Sequence, residues 1–483
     1  MPRRSLPRLR RSLVHGFALL LATPGTNARP LAAPLPAVNA RLSRLALDVR
    51  VDYATSTIDG TATLVVQNAS TVPITTIPLL LNRLLRVSSV HASGGAPLHF
   101  TQDTRTFSDD STMRAAVVSV ALTNPLPAAR STTLRIRYSG PLGDYVDAGM
   151  LYVKDHVDRA FTILREDAYA FPVIGVPSWD AMRAAPRAPF PFDVAVTVPR
   201  GLTVATGGES LGTTTHGELV TWRARSRAPA PFLLVTIAPY GVIESHGLRV
   251  YHFPGDSTGA RAIAAATGRA ARRLGQLLGP PAQPLSLSIM EIPEGWGSQA
   301  SATGGIIQEA TAFRDRAPMG EVYHELSHLW NAADLDVPSP RWNEGLAMFL
   351  QGRLTRELDG ATDEDAALQR TIDRLGERCV APAPCATVPM ARYGAEGLTD
   401  QSYLVGRLLF ASLYRQLGET RFDRALRLHF QRDKVRGTTT ARLRATFIGV
   451  GDGTARAIFE RWLDTTAWVT RIRDAKGFDE VLR

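Results

Sequence analysis

At 483 residues the chain is too long for a single compact core and predicts two or three domains. With 45% hydrophobic and 21% charged residues it has the composition of an ordinary globular protein, which excludes a largely disordered one. The net charge of +10 carries no nucleic-acid reading: Arg3, Arg4, Arg8, Arg10 and Arg11 precede any acidic residue, discounting those five leaves +5, and the other cations are scattered rather than interleaved with aromatics.

The amino terminus reads as an export signal over residues 1–28, followed by a linker over 29–40. An arginine-rich stretch ends at Arg11, a short apolar run follows (Phe17-Ala18-Leu19-Leu20-Leu21-Ala22), and small residues come next. Cleavage fits near Thr26-Asn27-Ala28 or Ala37-Val38-Asn39-Ala40. Arg10-Arg11-Ser12-Leu13-Val14 is also a loose twin-arginine pattern, which would mean export in a folded state. A basic disordered tail is the alternative reading. No later stretch approaches the roughly 20 apolar residues of a membrane span. The expectation is a secreted or periplasmic protein without a transmembrane span once the signal is removed.

Residues 41–243 read as strands and turns. Leu45, Leu47, Val49, Val51 and Tyr53 alternate with Ala46, Asp48, Arg50 and Asp52, a period-two pattern with one buried face. Similar runs recur at Leu134–Tyr138, Phe192–Val198 and Phe232–Ile237, with turns at Asp59-Gly60, Ser139-Gly140-Pro141 and Gly207-Gly208. This predicts an antiparallel β-domain of the sandwich type. Over 244–483 the character changes. Leu248–Phe253 reads as a strand and Thr258–Leu278 as a helix stopped by Gly279-Pro280-Pro281. A strand over Leu285–Met290 and a glycine-rich Gly295-Trp296-Gly297 follow. Helices then dominate, including Leu404–Leu417 and Ala455–Trp468, the latter with Ile458, Phe459, Trp462 and Leu463 on one face. The second region is therefore a mainly helical α+β lobe behind a small sheet.

That lobe carries His324-Glu325-Leu326-Ser327-His328, an H-E-x-x-H, and sixteen positions later Glu344 within Arg341-Trp342-Asn343-Glu344-Gly345. Imidazoles four residues apart lie on one helix face, one above the other, so both reach a single ion. The glutamate after the first histidine then sits beside the metal without ligating it, where it would take a proton from a zinc-activated water. An amphipathic helix with unliganded histidines is the alternative. Val322, Leu326, Leu329 and Trp330 supply the buried face, and a downstream carboxylate supplies a third ligand, which favours one Zn²⁺. Cys379 and Cys385, six positions apart, suggest a small disulfide loop in an exported protein, with a pair of free thiols as the alternative.

With these residues the chain resembles the aminopeptidase N family of zinc metallopeptidases, whose catalytic domain is thermolysin-like. The resemblance covers nearly everything after the leader, beginning with Leu45 to Asn68 and the Pro191-to-Pro199 strand with Gly201-Leu202-Thr203-Val204. It implies His324, His328 and Glu344 as zinc ligands and Glu325 as general base. Tyr403, with Gly406, Leu408, Leu409, Leu417-Gly418-Glu419 and Phe422, resembles the family's tyrosine-bearing helix, which implies that Tyr403 stabilises the oxyanion. The implied partner is a peptide or protein substrate.

The sequence departs from that family in three ways. Fifteen residues, not the usual eighteen, separate His328 from Glu344; Ala347 stands at the usual place, and Asp334 and Asp336 are rival ligands on the shortened loop. The exopeptidase motif Gly-x-Met-Glu-Asn is missing. The usual spacing puts Gly297-Ser298-Gln299-Ala300-Ser301 there, with Ala300 in place of the amine-recognising glutamate, unless Glu294 or Glu309 substitutes. By letters, Gly304-Gly305-Ile306-Ile307-Gln308 is closer, and Gly304, Gly305 and Ile306 are expected to form an edge strand for an extended substrate. Finally, the expectation is a catalytic lobe without the large closing helical domain of many relatives. The last two departures favour longer peptides or internal cleavage over removal of single residues. Trp330-Asn331 is also similar to the glycyl aminopeptidase family. Outside catalysis, the rival reading is a peptide-binding protein on the same scaffold; epoxide hydrolysis is a third, with no residue pointing to it.

Overall fold

The computed structural model describes residues 38–143, 156–186, 188–282, 286–301, 304–361, 363–380, 382–475 and 477–483. The expected export signal, its apolar run and the arginine pair at 10 and 11 lie outside the described residues.

The period-two segments become strands because alternate side chains of a strand face opposite sides of the sheet. Leu45, Leu47, Val49 and Val51 are all buried within Ala40–Asp52. This strand pairs antiparallel with Thr57–Asn68, Val49 opposite Gly60 and Leu45 opposite Leu64. Seven strands form the first sheet, in the spatial order Glu209–His216, Leu219–Arg225, Phe192–Pro199, Ala40–Asp52, Thr57–Asn68, Ser131–Pro141, Arg86–Ala92. A four-stranded sheet (Phe100–Thr106, Arg114–Leu126, Ile74–Leu81, Val173–Ile174) and a three-stranded one (Thr203–Ala205, Leu234–Ala238, Thr162–Arg165) share its core. Leu45, Leu64 and Ile136 from the large sheet pack with Leu79 and Val118 from the second and Val235 from the third. The sandwich is not wholly antiparallel: Ala40–Asp52 runs parallel to Phe192–Pro199.

The second region begins with Gly241–Ser245, which pairs not with the sandwich but with Leu248–His252. Five strands follow the order Gly241–Ser245, Leu248–His252, Leu287–Ile292, Gly305–Glu309, Gln299–Ala300, parallel in the middle and antiparallel at both ends. The edge on the Gly305–Glu309 side is therefore Gln299–Ala300. The expected edge strand at Gly304, Gly305 and Ile306 is instead interior, bonded on both sides, with Ile306 buried.

Against this sheet lies the alanine-rich helix Ser257–Leu278, whose Ile263, Ala266, Ala270 and Leu274 are buried. The metal-motif helix Gly320–Ser327, the carboxylate helix Trp342–Asp359 and the tyrosine helix Thr399–Leu417 complete the site's scaffold. Ile458, Phe459, Trp462 and Leu463 are fully buried as their spacing required. Their helix, however, is Thr440–Phe459, kinked at Asp452 and closed by a wide turn over Glu460–Asp464 before a separate helix Ala467–Asp474. Cys379 and Cys385 are joined in a disulfide and buried.

One close approach controls the site. A Cβ on Gly345 would stand 2.3 Å from the Gly406 Cα, so the carboxylate and tyrosine helices touch backbone to backbone. Neither helix has a flexible side chain there to yield. Gly345→Ala is expected to cost about 1–3 kcal/mol in urea unfolding, since the helices must separate. Gly449→Ala, in a helix with nothing within 4 Å of the new methyl, should be neutral or mildly stabilising.

Candidate active site

The motif helix ends where its chemistry needs it to. Regular α-helix runs through Ser327 and tightens to a 3₁₀ turn over His328–Trp330, with Val322, Leu326 and Trp330 buried beneath. This leaves His324 and His328 on the opposite face, ring centroids 5.1 Å apart and nearly perpendicular. Glu344 enters from the first turn of the carboxylate helix. Its Oε2 lies 3.6 Å from His324 Nε2 and 3.3 Å from His328 Nε2. Ligand atoms of the three residues fall within 4.8 Å of one another.

These separations fit zinc. Donors about 2.0–2.1 Å from a tetrahedral ion stand about 3.3 Å apart, close to both histidine–glutamate distances. Two imidazoles and one carboxylate are also the donor set of a catalytic site that keeps a fourth position open. Burial works against ionisation of Glu344, yet the two imidazoles and Arg341 hold its carboxyl far below the usual carboxylate range. The rival ligands are engaged elsewhere. Asp334 accepts from Ser339 Oγ and the Asp336 N–H, and Asp336 accepts from the Thr440 N–H, pinning the loop rather than a metal.

Glu325, only 6% exposed, projects beside the cluster. Burial pushes its carboxyl up to about 7; His324 and the Ala300 amide oppose this, while Glu344 and Glu321 add to it. Tyr403 stacks its ring on His324 at 6.2 Å. Burial and the Glu344 carboxylate raise its phenol well above the usual range, so it stays protonated and able to donate. Ser402 Oγ donates to the Pro340 carbonyl at 2.9 Å, tying the tyrosine helix to the loop that delivers Glu344. All five residues line one cleft of about 930 Å³ that also reaches Arg165 and Asp167 of the sandwich.

Ala300 lies on the cleft wall with Ser298 and Gln299, whereas Gly304, Gly305 and Ile306 do not line it. Neither expected substitute for the missing glutamate stands there. Glu294 pairs with Arg314, and Glu309 accepts the Gly297 N–H at 2.6 Å.

Two cleft residues escaped the sequence reading. Arg341, held in the left-handed region (φ 57°) at the start of the carboxylate helix, donates from one Nη2 to Glu344 Oε1 at 3.1 Å and to the Tyr403 hydroxyl at 3.2 Å. Its place three residues before Glu344, immediately ahead of the helix, was the available signal. Glu321 lies three residues before His324, on the same helical face, and accepts from Ser298 Oγ at 2.7 Å.

No protein-family profile and no curated protein matches the chain. Solved structures do. The M1 zinc metallopeptidase from Deinococcus radiodurans superposes with a TM-score of 0.65 at 21% identity, covering 88% of this chain and 94% of that one. A mutant of an M1 zinc metallopeptidase from the same organism, bound to a Tyr-Ser-Ala substrate, gives a TM-score of 0.62 at 22% identity with the same coverage. The chain has the fold of these enzymes.

Because Arg341 fixes the Glu344 oxygen that does not face the histidines, Arg341→Met should weaken zinc binding by about tenfold or more, with Arg341→Lys in between. Competition against a chromogenic chelator reads this directly.

Proposed function

We propose that this protein is an exported zinc metallopeptidase that hydrolyses peptide bonds. The observation that carries the reading is the convergence of His324 Nε2, His328 Nε2 and Glu344 Oε2, with Glu325 and Tyr403 on the same cleft. The shared fold with zinc metallopeptidases supports it. Export rests on the leader pattern of residues 1–28, and no described helix is long and apolar enough to cross a membrane.

Zinc held by His324, His328 and Glu344 would lower the pKa of a bound water toward about 7 and polarise the substrate carbonyl. Glu325 accepts the water's proton and returns it to the departing amine, a task suited to a carboxyl raised to about 7. Tyr403 donates to the oxyanion, and the Arg341 guanidinium beside its hydroxyl adds positive charge to the same side. An extended peptide is placed on the Gln299–Ala300 edge by strand addition. Ala300 offers no carboxylate to a free amino terminus, which favours endopeptidase action or long substrates over strict aminopeptidase action.

With zinc bound in both proteins, Glu325→Gln is expected to lower peptide hydrolysis at least about a hundredfold. Equal rates in parent and variant would leave a peptide-binding protein on this scaffold. Tyr403→Phe should lower kcat by about a hundredfold while KM changes little. A peptide and its amino-acetylated twin should both be cut; cleavage of the free form alone would mean an amine-recognising acid is present after all.

A further inference from the structure

Glu321 is a cleft carboxylate that the catalytic scheme does not use. It is half-buried, and among the described residues no cation pairs with it. A relay fixes its orientation. Gln308 Nε2 and the Glu309 N–H donate to Ser298 Oγ at 3.0 and 3.1 Å, and Ser298 Oγ donates to Glu321 Oε1 at 2.7 Å. One carboxylate oxygen is thus satisfied by the protein, and the other has no hydrogen-bond partner among the described residues. An acid held toward a substrate cleft without a counter-charge discriminates among substrates by charge.

Its position tells which part of a substrate it meets, given the peptidase reading above. Tyr403 and Arg341 mark the carbonyl end of the scissile bond, because they meet the oxyanion. Glu325 marks the nitrogen end, because it hands the proton to the departing amine. Glu321 lies one helical turn before Glu325 on the same face, on the order of 6 Å away, on the stretch of cleft wall that Ser298 shares with it. It therefore faces the residue whose amine is released. Met348 and Gln351, from the carboxylate helix, line the same cleft, and Gln351 lies against Gly320 beside Glu321. An apolar thioether and a neutral amide suit the methylene stem of a long basic side chain.

The geometry points to Glu321 as the specificity determinant for a lysine or arginine immediately carboxy-terminal to the cleaved bond. Ser298, Gln308 and the Glu309 amide act as positioning groups for it.

The test uses the zinc-loaded full chain and peptides differing only at that residue: lysine, methionine, glutamine or glutamate. The parent should show kcat/KM for lysine roughly tenfold or more above methionine or glutamine. Glu321→Gln, which keeps an acceptor for Ser298, should bring that ratio close to one while still cleaving the methionine peptide. Glu321→Arg should shift preference to the glutamate peptide. A parent without lysine preference, or a ratio unchanged in Glu321→Gln, overturns the inference. So does a uniform fall across all four peptides, which is what a purely structural role gives. If the parent cleaves none of the four, the peptidase reading falls and this inference with it; cleavage of all four at similar rates sinks the inference alone.

Discussion

The site depends on one largely buried carboxylate being held against two imidazoles at the wall of a cleft. Glu344 is ionised although buried, and bringing such a charge out of water is costly unless it is paired on every side. Here His324 and His328 meet one oxygen and Arg341 meets the other. With a divalent cation between the three ligands the charges balance further. Two imidazole nitrogens and a carboxylate oxygen within ligand reach of one another are a donor set for a divalent cation, so the geometry speaks for a metal site rather than a core.

That pairing is positioned by packing at some distance from it. The carboxylate helix reaches the motif helix because Gly345 lets it lie directly on Gly406 of the tyrosine helix. Farther along, buried Arg353 binds Glu357, Glu419 and Asp423, fastening the carboxylate helix to Glu419–Asp433. Sequence and energetics meet here: two glycines set the spacing, one arginine locks it, and Glu344 and Tyr403 arrive in the same cleft as a result. The loop trimmed by three residues is no obstacle, since Asp334 and Asp336 anchor it to the chain around Thr438 and Thr440.

Much of this was legible from the residues. The β-strands announced themselves because each buries one face, and the histidine pair because four residues bring a helix back to the same side. What could not be read was partnership. The alternation of Leu45 to Val51 shows a strand but not that its neighbour, Phe192–Pro199, would run parallel and come from far along the chain. The order of Gln299–Ala300 and Gly305–Glu309 in the sheet was missed for the same reason. Glycine-rich letters attract attention, yet the two-residue strand outside them has no periodicity to detect. Arg341 and Glu321 were overlooked because their roles depend on Tyr403 and Ser298, distant in sequence and near only after folding.

The central claim is that three side chains from two helices share a single zinc ion. Anomalous diffraction at the zinc edge, from crystals of zinc-loaded protein, tests it most directly. The account predicts one peak per chain, about 2.0–2.2 Å from His324 Nε2, His328 Nε2 and a Glu344 carboxylate oxygen. A peak elsewhere, or a Glu344 carboxylate turned away from a metal held only by the histidines, would contradict it.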